Sequence, residues 1–233
     1  MTPGQQIGPY LLEGTLGKGG MGAVYRARGP QGGAVALKVL HTLDPELLAR
    51  FQREAQVLRH LNSLRIVRLL DFGVHAGRPY LVQELCEGGD LAGVLARRGA
   101  LPPDEARSLI RELAAGLEVA HQAGVVHRDL KPANVLLHEG QPKLTDFGLA
   151  RAKGIDRASL TETGVMMGTP AYMAPEQLED ARAVDARADV YALGVILYEL
   201  LAGAQAFRGR GVLEIADAVR RSRVMSRPPS GGS

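Results

Sequence analysis

Short apolar runs separated by glycine-rich turns occupy the first 85 residues of the chain. Residues 10–16, 23–27 and 34–40 each have the length and apolar content of a β-strand. Two further strands are predicted at residues 66–72 and 79–85. Together the five strands are predicted to form a small antiparallel sheet.

One helix is predicted between the third and fourth of these strands. Asp44 supplies an N-cap and Pro45 stands at the first helical position. The residues that follow repeat an apolar side chain at helical spacing: Leu47, Phe51, Ala55, Leu58 and Leu61. This helix is expected to pack one face against the sheet.

Helical periodicity dominates after residue 90. One predicted helix ends at Gly124 and has an apolar face made of Ala106, Leu109, Ile110, Leu113 and Leu117. Residues 189–202 are apolar on nearly all sides, which predicts a buried central helix that ends at Gly203.

These patterns predict two lobes and a tail. The β-rich lobe spans residues 10–85 and the helical lobe spans residues 86–221, with a ligand cleft between them. Residues 222–233 are rich in Pro, Gly and Ser and are predicted to be disordered.

Composition narrows the class of protein. The 233 residues are 45% hydrophobic, and 28 basic residues against 25 acidic ones give a net charge of +3, which is too mild to indicate nucleic-acid binding. The single cysteine, Cys86, excludes an internal disulfide and fits a reducing compartment. The longest apolar stretch is interrupted by Glu199 and is shorter than the roughly 20 residues of a membrane span. A soluble cytoplasmic protein is expected.

A glycine pattern follows the first predicted strand. Gly17, Gly19 and Gly22 form G-x-G-x-x-G, and Val24 follows. A strand follows the glycines here, whereas the dinucleotide-binding fold requires a helix at that place. A strand–turn–strand flap could bring backbone N–H groups close to phosphates, because glycine has no side chain in the way. Taken alone, the stretch is explained more simply by a plain hairpin turn.

A lysine at a strand end and a glutamate on the predicted helix form a second candidate feature. Lys38 closes the strand-like run VALK, and a lysine there often extends its charge into solvent. Glu54 lies at the edge of the apolar stripe, where an unpaired carboxylate is costly. We expect Glu54 to pair with Lys38 and to hold its ammonium where phosphate oxygens can be met.

The segment VVHRDLKPANVLL, residues 125–137, places three polar residues between two apolar runs. Asp129, Lys131 and Asn134 could belong to an ordinary polar turn between two strands. Three such side chains in one loop suggest instead a site that binds a charged group.

Five motifs occur in one order along the chain: GKGGMGAV, VALK, HRDLKPAN, DFG and APE. From about residue 10 to about residue 221 the chain resembles the eukaryotic-like (Hanks-type) Ser/Thr protein kinases of bacteria. The resemblance implies an α+β, bilobal protein-kinase-like fold, with a small antiparallel β lobe that carries one helix and a mainly helical second lobe. It also implies ATP as substrate and a glycine flap over its phosphates.

The resemblance assigns roles in phosphoryl transfer. Asp129 would orient the substrate hydroxyl and accept its proton, and Lys131 would neutralise charge on the transferred group. Asn134 and Asp146 would hold Mg²⁺ or Mn²⁺ rather than zinc. His127 would be a packing residue, stacked on neighbouring apolar side chains: Phe147, Leu58 and Leu69.

The resemblance also outlines an adenine slot. Apolar residues from both lobes would line it: Leu16, Val24, Ala36 and Leu136. Glu84 and Cys86 belong to the linker whose backbone would read the base, and Gln83 would gate the back of the pocket. Asp90 aligns with the acid that contacts the ribose, and a solvated linker carboxylate explains it nearly as well.

Substrate class and regulation are implied by the same resemblance. Lys131 and Thr169 stand where Ser/Thr kinases have them, so protein Ser/Thr hydroxyls are the expected acceptors. Autophosphorylation is predicted at Thr161 and Thr163 in the segment SLTETG, and Arg128 would contact the added phosphate.

One departure from the family pattern concerns the second lobe. In the family, further helices follow Val219 and an arginine pairs with the position of Glu176, so the C-terminal lobe of this chain is expected to be truncated. The loosely placed substitutes for that arginine are Arg220, Arg221, Arg223 and Arg227. A marginally stable chain that ATP and Mg²⁺ stabilise is therefore predicted. The alternatives to an active kinase are an ATP-binding pseudokinase or scaffold, and an unstable inactive fragment.

Overall fold

The computed structural model describes residues 1–19, 22–41, 45–147, 170–179 and 184–221. The strands of these residues are β1 (Gln6–Ile7), β2 (Tyr10–Gly19), β3 (Gly22–Arg28), β4 (Ala34–Leu40), β5 (Leu69–His75), β6 (Arg78–Glu84), β7 (Val135–His138) and β8 (Gln141–Leu144). The helices are α1 (Pro45–Arg59), α2 (Leu91–Arg98), α3 (Pro103–Gln122), α4 (Pro175–Glu179), α5 (Ala186–Ala202) and α6 (Val212–Arg220). Short 3-10 turns lie at Pro132–Asn134 and Pro170–Tyr172.

The first six strands form one antiparallel sheet in the order β1-β2-β3-β4-β6-β5. The predicted α+β fold is confirmed, with this sheet in the N-terminal part and helices beyond it. β2 and β3 continue past their predicted ends, and their last pair joins Gly19 to Gly22. The glycine pattern therefore lies within the paired strands and at their tip.

The fourth predicted strand begins three residues too early. Residues 66–72 were predicted, but β5 is Leu69–His75. Ile66 forms a parallel bridge with Leu144, and Val67 N–H donates to Leu144 O at 2.8 Å. The apolar residues ahead of β5 thus pair with the hairpin β7–β8 instead of extending β5 within the sheet.

Helix α1 packs its apolar stripe against the sheet and into the main core. Phe51 and Ala55 are fully buried and Leu58 is nearly so. The ring of Phe51 meets Phe72 of β5 edge to face, with 6.5 Å between the ring centres. The core that contains these residues also includes residues of the helical part, among them Leu113 and Ile196.

Helix α5 crosses the helical part of the molecule. Ala192, Val195, Ile196 and Leu200 are buried against its neighbours. The prediction of burial on all sides is wrong, because the side chain of Val190 is 62% exposed. Gly203 ends the helix in the left-handed conformation, as expected.

Within the described residues, every helix is too short or too polar to cross a membrane.

Candidate active site

The loop between α3 and β7 brings together the three polar residues of the segment HRDLKPAN. The Lys131 ammonium lies 3.1 Å from Asp129 Oδ2. The amide nitrogen of Asn134 donates to the same oxygen at 3.3 Å and to the Asp129 carbonyl at 2.7 Å. Asn134 is buried, and the Asp129 side chain is 11% exposed. One carboxylate is therefore the centre of the group.

Asp189 of α5 holds the backbone of this loop. Its carboxylate accepts hydrogen bonds from the N–H groups of His127 and Arg128, each at 2.8 Å. Arg128 has a φ of 62°, in the left-handed region that is unfavourable for most side chains. The two hydrogen bonds help to keep this conformation, and His121 Nε2 lies 2.7 Å from the same carboxylate.

Asp189 was not predicted from the sequence as part of the site, and it is only 1% exposed. The available signal was an acidic residue within an otherwise apolar helix. A buried carboxylate requires partners, because burial of an unpaired charge is unfavourable.

His127 is a buried packing residue, as the resemblance implied. Its ring lies 4.6 Å from that of Phe147 between centres, and Phe147 shares a core cluster with Leu58 and Leu69. Nε2 donates to the Thr145 carbonyl at 2.9 Å, which fixes the neutral tautomer with its proton on Nε2. Burial lowers the pKa of His127, in keeping with a neutral ring.

Asp146 follows β8 and forms an ion pair with Lys38 of β4. Lys38 Nζ lies 2.7 Å from Asp146 Oδ1. The sequence predicted Glu54, and did not predict Asp146, as a partner of Lys38. Glu54 is half-buried on α1, and its pairing with Lys38 stays a prediction. Asp146 itself has a φ of 60°, a second left-handed residue beside the site.

The two predicted metal ligands are joined through the backbone. Thr145 N–H, one residue before Asp146, donates to the Asn134 carbonyl at 3.0 Å. Both residues offer oxygen atoms, a carboxylate and an amide, which suit the hard cations Mg²⁺ and Mn²⁺. The donor set therefore fits the divalent cation that accompanies ATP.

The three glycines of the pattern have different surroundings. Gly22 has a φ of 151°, and a side chain there would place its Cβ in a clash with the Val39 carbonyl oxygen. Among the described residues, a Cβ at Gly17 or Gly19 would meet nothing within 4 Å. Gly22 is therefore required by the strand geometry, while a side chain at Gly17 or Gly19 would have open space around it.

The predicted adenine-slot residues lie on adjoining strands and on the hairpin. Val24 pairs with Lys38, and Ala36 pairs with Gln83 next to the linker. Leu136 of β7 forms a bridge with Asp90. Leu16 also belongs to this set, on β2, with 52% of its side chain exposed.

The linker, which comprises residues 84–90, is hydrogen-bonded to the hairpin β7–β8. Gly88 N–H donates to Leu137 O at 3.0 Å, and Leu137 N–H donates to Gly89 O at 2.9 Å. Asp90 caps α2 by accepting from Gly93 N–H at 2.7 Å, so its ribose contact stays a prediction. Cys86 is half-buried, and burial together with the Glu84 charge raises the pKa of its thiol to about 11.

The predicted regulatory threonines Thr161, Thr163 and Thr169 lie outside the described residues. Arg128 is positioned by its backbone, since its carbonyl also accepts from Gln177 Nε2 at 2.9 Å. Glu176 is exposed on α4.

Comparison with known proteins agrees with this fold. The protein kinase domain family matches residues 10–228. A crystal structure of Rad53 residues 1–466 in complex with AMP-PNP superposes with a TM-score of 0.77 at 28% identity, over 93% of this chain and 54% of that one.

Curated relatives are bacterial enzymes. Serine/threonine-protein kinase PknL of Mycobacterium tuberculosis is 42% identical over 231 residues, covering 94% of this chain and 57% of the relative. Serine/threonine-protein kinase PkaA of Streptomyces coelicolor is 43% identical over 225 residues, covering 88% and 41%. The chain therefore belongs to the protein kinase family, among the bacterial Ser/Thr kinases of the Hanks type. It spans about half the length of the curated relatives it matches.

Proposed function

We propose that this chain is a protein Ser/Thr kinase that transfers the γ-phosphoryl group of ATP to Ser and Thr hydroxyls of proteins. The observation that carries the proposal is the convergence of Lys131 and Asn134 on the Asp129 carboxylate. The backbone of this loop is fixed from a separate helix by Asp189. Such preorganisation suits phosphoryl transfer, in which positioning and electrostatics supply most of the catalysis.

In this mechanism Asp129 accepts a hydrogen bond from the substrate hydroxyl, orients its oxygen towards the γ-phosphorus and takes its proton as the bond to phosphorus forms. Lys131, 3.1 Å from the same carboxylate, offers its charge to the transferred phosphoryl oxygens. The leaving group is ADP. Burial of the neighbouring His127 leaves Asp129 as the group that handles this proton.

ATP would lie between the glycine-rich strands and the hairpin β7–β8. Gly17 and Gly19 leave room for phosphates, and Lys38 supplies an ammonium from the adjacent strand. Asp146 and the amide oxygen of Asn134 would hold the divalent cation, whose chemistry is to neutralise charge on the β- and γ-phosphates. The amide nitrogen of Asn134 is committed to Asp129, so its oxygen is the ligand atom.

The division into lobes, the location and the regulation are parts of the same proposal. Residues 10–85 would form the ATP-binding lobe and residues 86–221 the catalytic lobe. Protein substrates would be met in the cytoplasm, where ATP is present and the single thiol stays reduced. Autophosphorylation at Thr161 and Thr163 would bring a phosphate to Arg128. The pseudokinase alternative is favoured by none of the contacts described, and Lys38, Asp129 and Asp146 are all present.

The test is a transfer assay with γ-labelled ATP and a Ser/Thr-containing acceptor protein, with Mg²⁺ and Mn²⁺ compared. Transfer to Ser or Thr is expected, and the Asp129→Asn variant should lose it while still binding ATP. A wild-type chain that binds ATP and transfers nothing would revive the pseudokinase alternative. Equal transfer by the Asp129→Asn variant would contradict the assigned mechanism.

A further inference from the structure

An ion pair with little exposure to solvent connects the linker to the hairpin β7–β8. This hairpin is followed by Asp146, the proposed metal ligand. Glu84 is the last residue of β6, and Lys143 lies in β8. Lys143 Nζ is 2.6 Å from Glu84 Oε1, with 10% of the lysine side chain and 22% of the glutamate side chain exposed. The two residues are 59 positions apart in sequence. A pair this poorly solvated is favourable only with good geometry and additional hydrogen bonds.

Those additional bonds come from Arg68, which precedes β5. Arg68 N–H donates to Glu84 Oε1 at 2.8 Å, and Glu84 N–H donates to Arg68 O at 3.0 Å. Burial alone would raise the pKa of Glu84, but the hydrogen bonds from Lys143 and Arg68 hold it below its usual range. Glu84 is thus an ionised carboxylate whose Oε1 accepts hydrogen bonds from both Lys143 and Arg68.

The position of the pair relates two parts of the proposed nucleotide site. Lys143 pairs in register with Leu136, the slot residue of β7, and lies three residues before Asp146. Leu136 in turn bridges to Asp90 of the linker. The linker is therefore joined to one hairpin at two places: by backbone bonds at residues 88–90 and by a side-chain ion pair at residue 84.

We propose that Glu84 and Lys143 are positioning residues. Their ion pair fixes the linker backbone relative to Leu136, the slot residue of β7, and thereby sets the affinity for the adenine base. This inference rests on the proposed function, because it assumes that the linker reads the base. The backbone bonds at residues 88–90 fix only the far end of the linker. At the near end the 2.6 Å ion pair is accompanied by a longer side-chain hydrogen bond, 3.5 Å from Gln83 Nε2 to Thr145 Oγ1, one residue beyond β8.

The first measurement is the dissociation constant of adenosine and of Mg-ATP for the full chain. Lys143→Met keeps most of the side-chain volume and removes the charge. We expect both dissociation constants to rise about tenfold, the size of one lost charged hydrogen bond. Because adenosine has no phosphates, equal factors for the two ligands would locate the defect at the base. A role limited to fold stability would lower the melting temperature without changing adenosine affinity in the folded chain.

Two further variants separate the ion pair from a general loss of packing. Lys143→Arg should bind adenosine with an affinity within about threefold of wild type, because it keeps the charge and hydrogen-bond donors. Glu84→Gln should raise the dissociation constant by a smaller factor than Lys143→Met. Its effect in combination with Lys143→Met should be less than the product of the two, since the residues act on one contact. If Lys143→Met fails to fold, Glu84→Gln decides the question.

The control is Arg98→Met, which breaks a more exposed ion pair of the same 2.6 Å length between Arg98 and Glu105, away from the linker. Its adenosine affinity should equal that of wild type. Unchanged adenosine affinity in both Lys143→Met and Glu84→Gln would overturn this inference alone, provided that the wild type binds adenosine. A wild-type chain that binds neither adenosine nor ATP would overturn the proposed function and this inference together.

Discussion

Lys38 Nζ lies 2.7 Å from Asp146 Oδ1, so the ammonium expected to meet ATP is bound to the carboxylate expected to meet the metal. The two side chains are 12% and 33% exposed, and each charge is the other's counterion. Entry of ATP with its cation would supply both residues with new partners. Lys38 would bind the phosphate oxygens, and Asp146 would bind the cation. Under the proposed function, nucleotide binding would therefore replace this ion pair with two ionic contacts.

The exchange predicts a separation of metal binding from catalysis in Lys38→Met. The substitution removes a positive charge that competes with the metal ion for the Asp146 carboxylate. The nucleotide-free chain should therefore bind Mn²⁺ about tenfold more tightly. Transfer should nevertheless be lost, because the phosphates lose their contact. Electron paramagnetic resonance of free Mn²⁺ measures the first effect and the transfer assay the second. Arg78→Met, on the exposed start of β6, serves as the control for loss of one positive charge. Weaker Mn²⁺ binding by Lys38→Met would contradict the exchange.

Asp189→Asn tests the support of the catalytic loop. The variant keeps the shape of the side chain but loses the charge that accepts from His127 and Arg128. We expect kcat to fall by at least about tenfold, with KM for ATP changed less than threefold, because a charged hydrogen bond to the loop is weakened. Steady-state kinetics measures both parameters.

The control is Asp185→Asn, which alters the N-cap of the same helix and does not touch the loop. Asparagine caps helices about as well as aspartate, so activity should be unchanged. Equal losses of kcat in the two variants would assign the effect to helix α5 as a whole rather than to the loop.

Gly22→Ala and Gly17→Ala should fail in different ways. A Cβ at Gly22 would clash with the Val39 carbonyl oxygen on a backbone with φ of 151°, so Gly22→Ala should lower the melting temperature. A Cβ at Gly17 would meet no described atom within 4 Å, so Gly17→Ala should melt like wild type and raise KM for ATP. Thermal melts and ATP titrations distinguish the two. A lowered melting temperature for Gly17→Ala would show that the strand tip is tighter than described.

Phosphorylation is predicted at Thr161 and Thr163 after incubation with Mg-ATP. Cleavage after Arg157 and Arg182 releases a peptide that contains both threonines, and mass spectrometry of this peptide should show one and then two added phosphates. The Asp129→Asn protein, treated in parallel, should remain unmodified. An unmodified peptide from an active wild-type chain would rule out this mode of regulation.

Cys86 should be a poorly reactive thiol. Its pKa is raised from 9.0 to about 11, chiefly by burial, so the thiolate is scarce at neutral pH. The alkylation rate with iodoacetamide should stay low up to pH 9 and increase towards pH 11. Because the unfolded thiol ionises first, the free energy of unfolding contributed by this group declines as pH rises through that interval. Rapid alkylation at pH 7.5 in the folded chain would contradict the burial.

Motifs with fixed spacing were predictable from the sequence, and the contacts between distant segments were not. Asp129, Lys131 and Asn134 lie within six residues, so their convergence follows from one loop. Asp189 is 62 residues from His127, and no local pattern indicates that the two meet. An acidic residue in an apolar helix indicates that its carboxylate has a polar partner, but it does not indicate which residue that partner is.

Partner choice also explains the error in the start of β5. The apolar residues ahead of β5 have the composition of a strand whichever segment they pair with, and here Ile66 pairs with Leu144. The ion pair between Lys38 and Asp146 was likewise not predicted, because the two residues are far apart in sequence. In both cases the sequence indicated that a segment needs a partner, and the tertiary arrangement decided which residue supplies it.

The left-handed backbones of Arg128 and Asp146 set stability against function at two positions. Each conformation is disfavoured for a side chain by about 1–3 kcal/mol, and glycine would adopt it without strain. A laboratory selection for heat resistance alone would thus reward glycine at both positions. It would discard the guanidinium proposed to sense phosphorylation and the carboxylate proposed to hold the cation. Thermostable descendants of this chain are expected to keep these two side chains only when activity is selected at the same time.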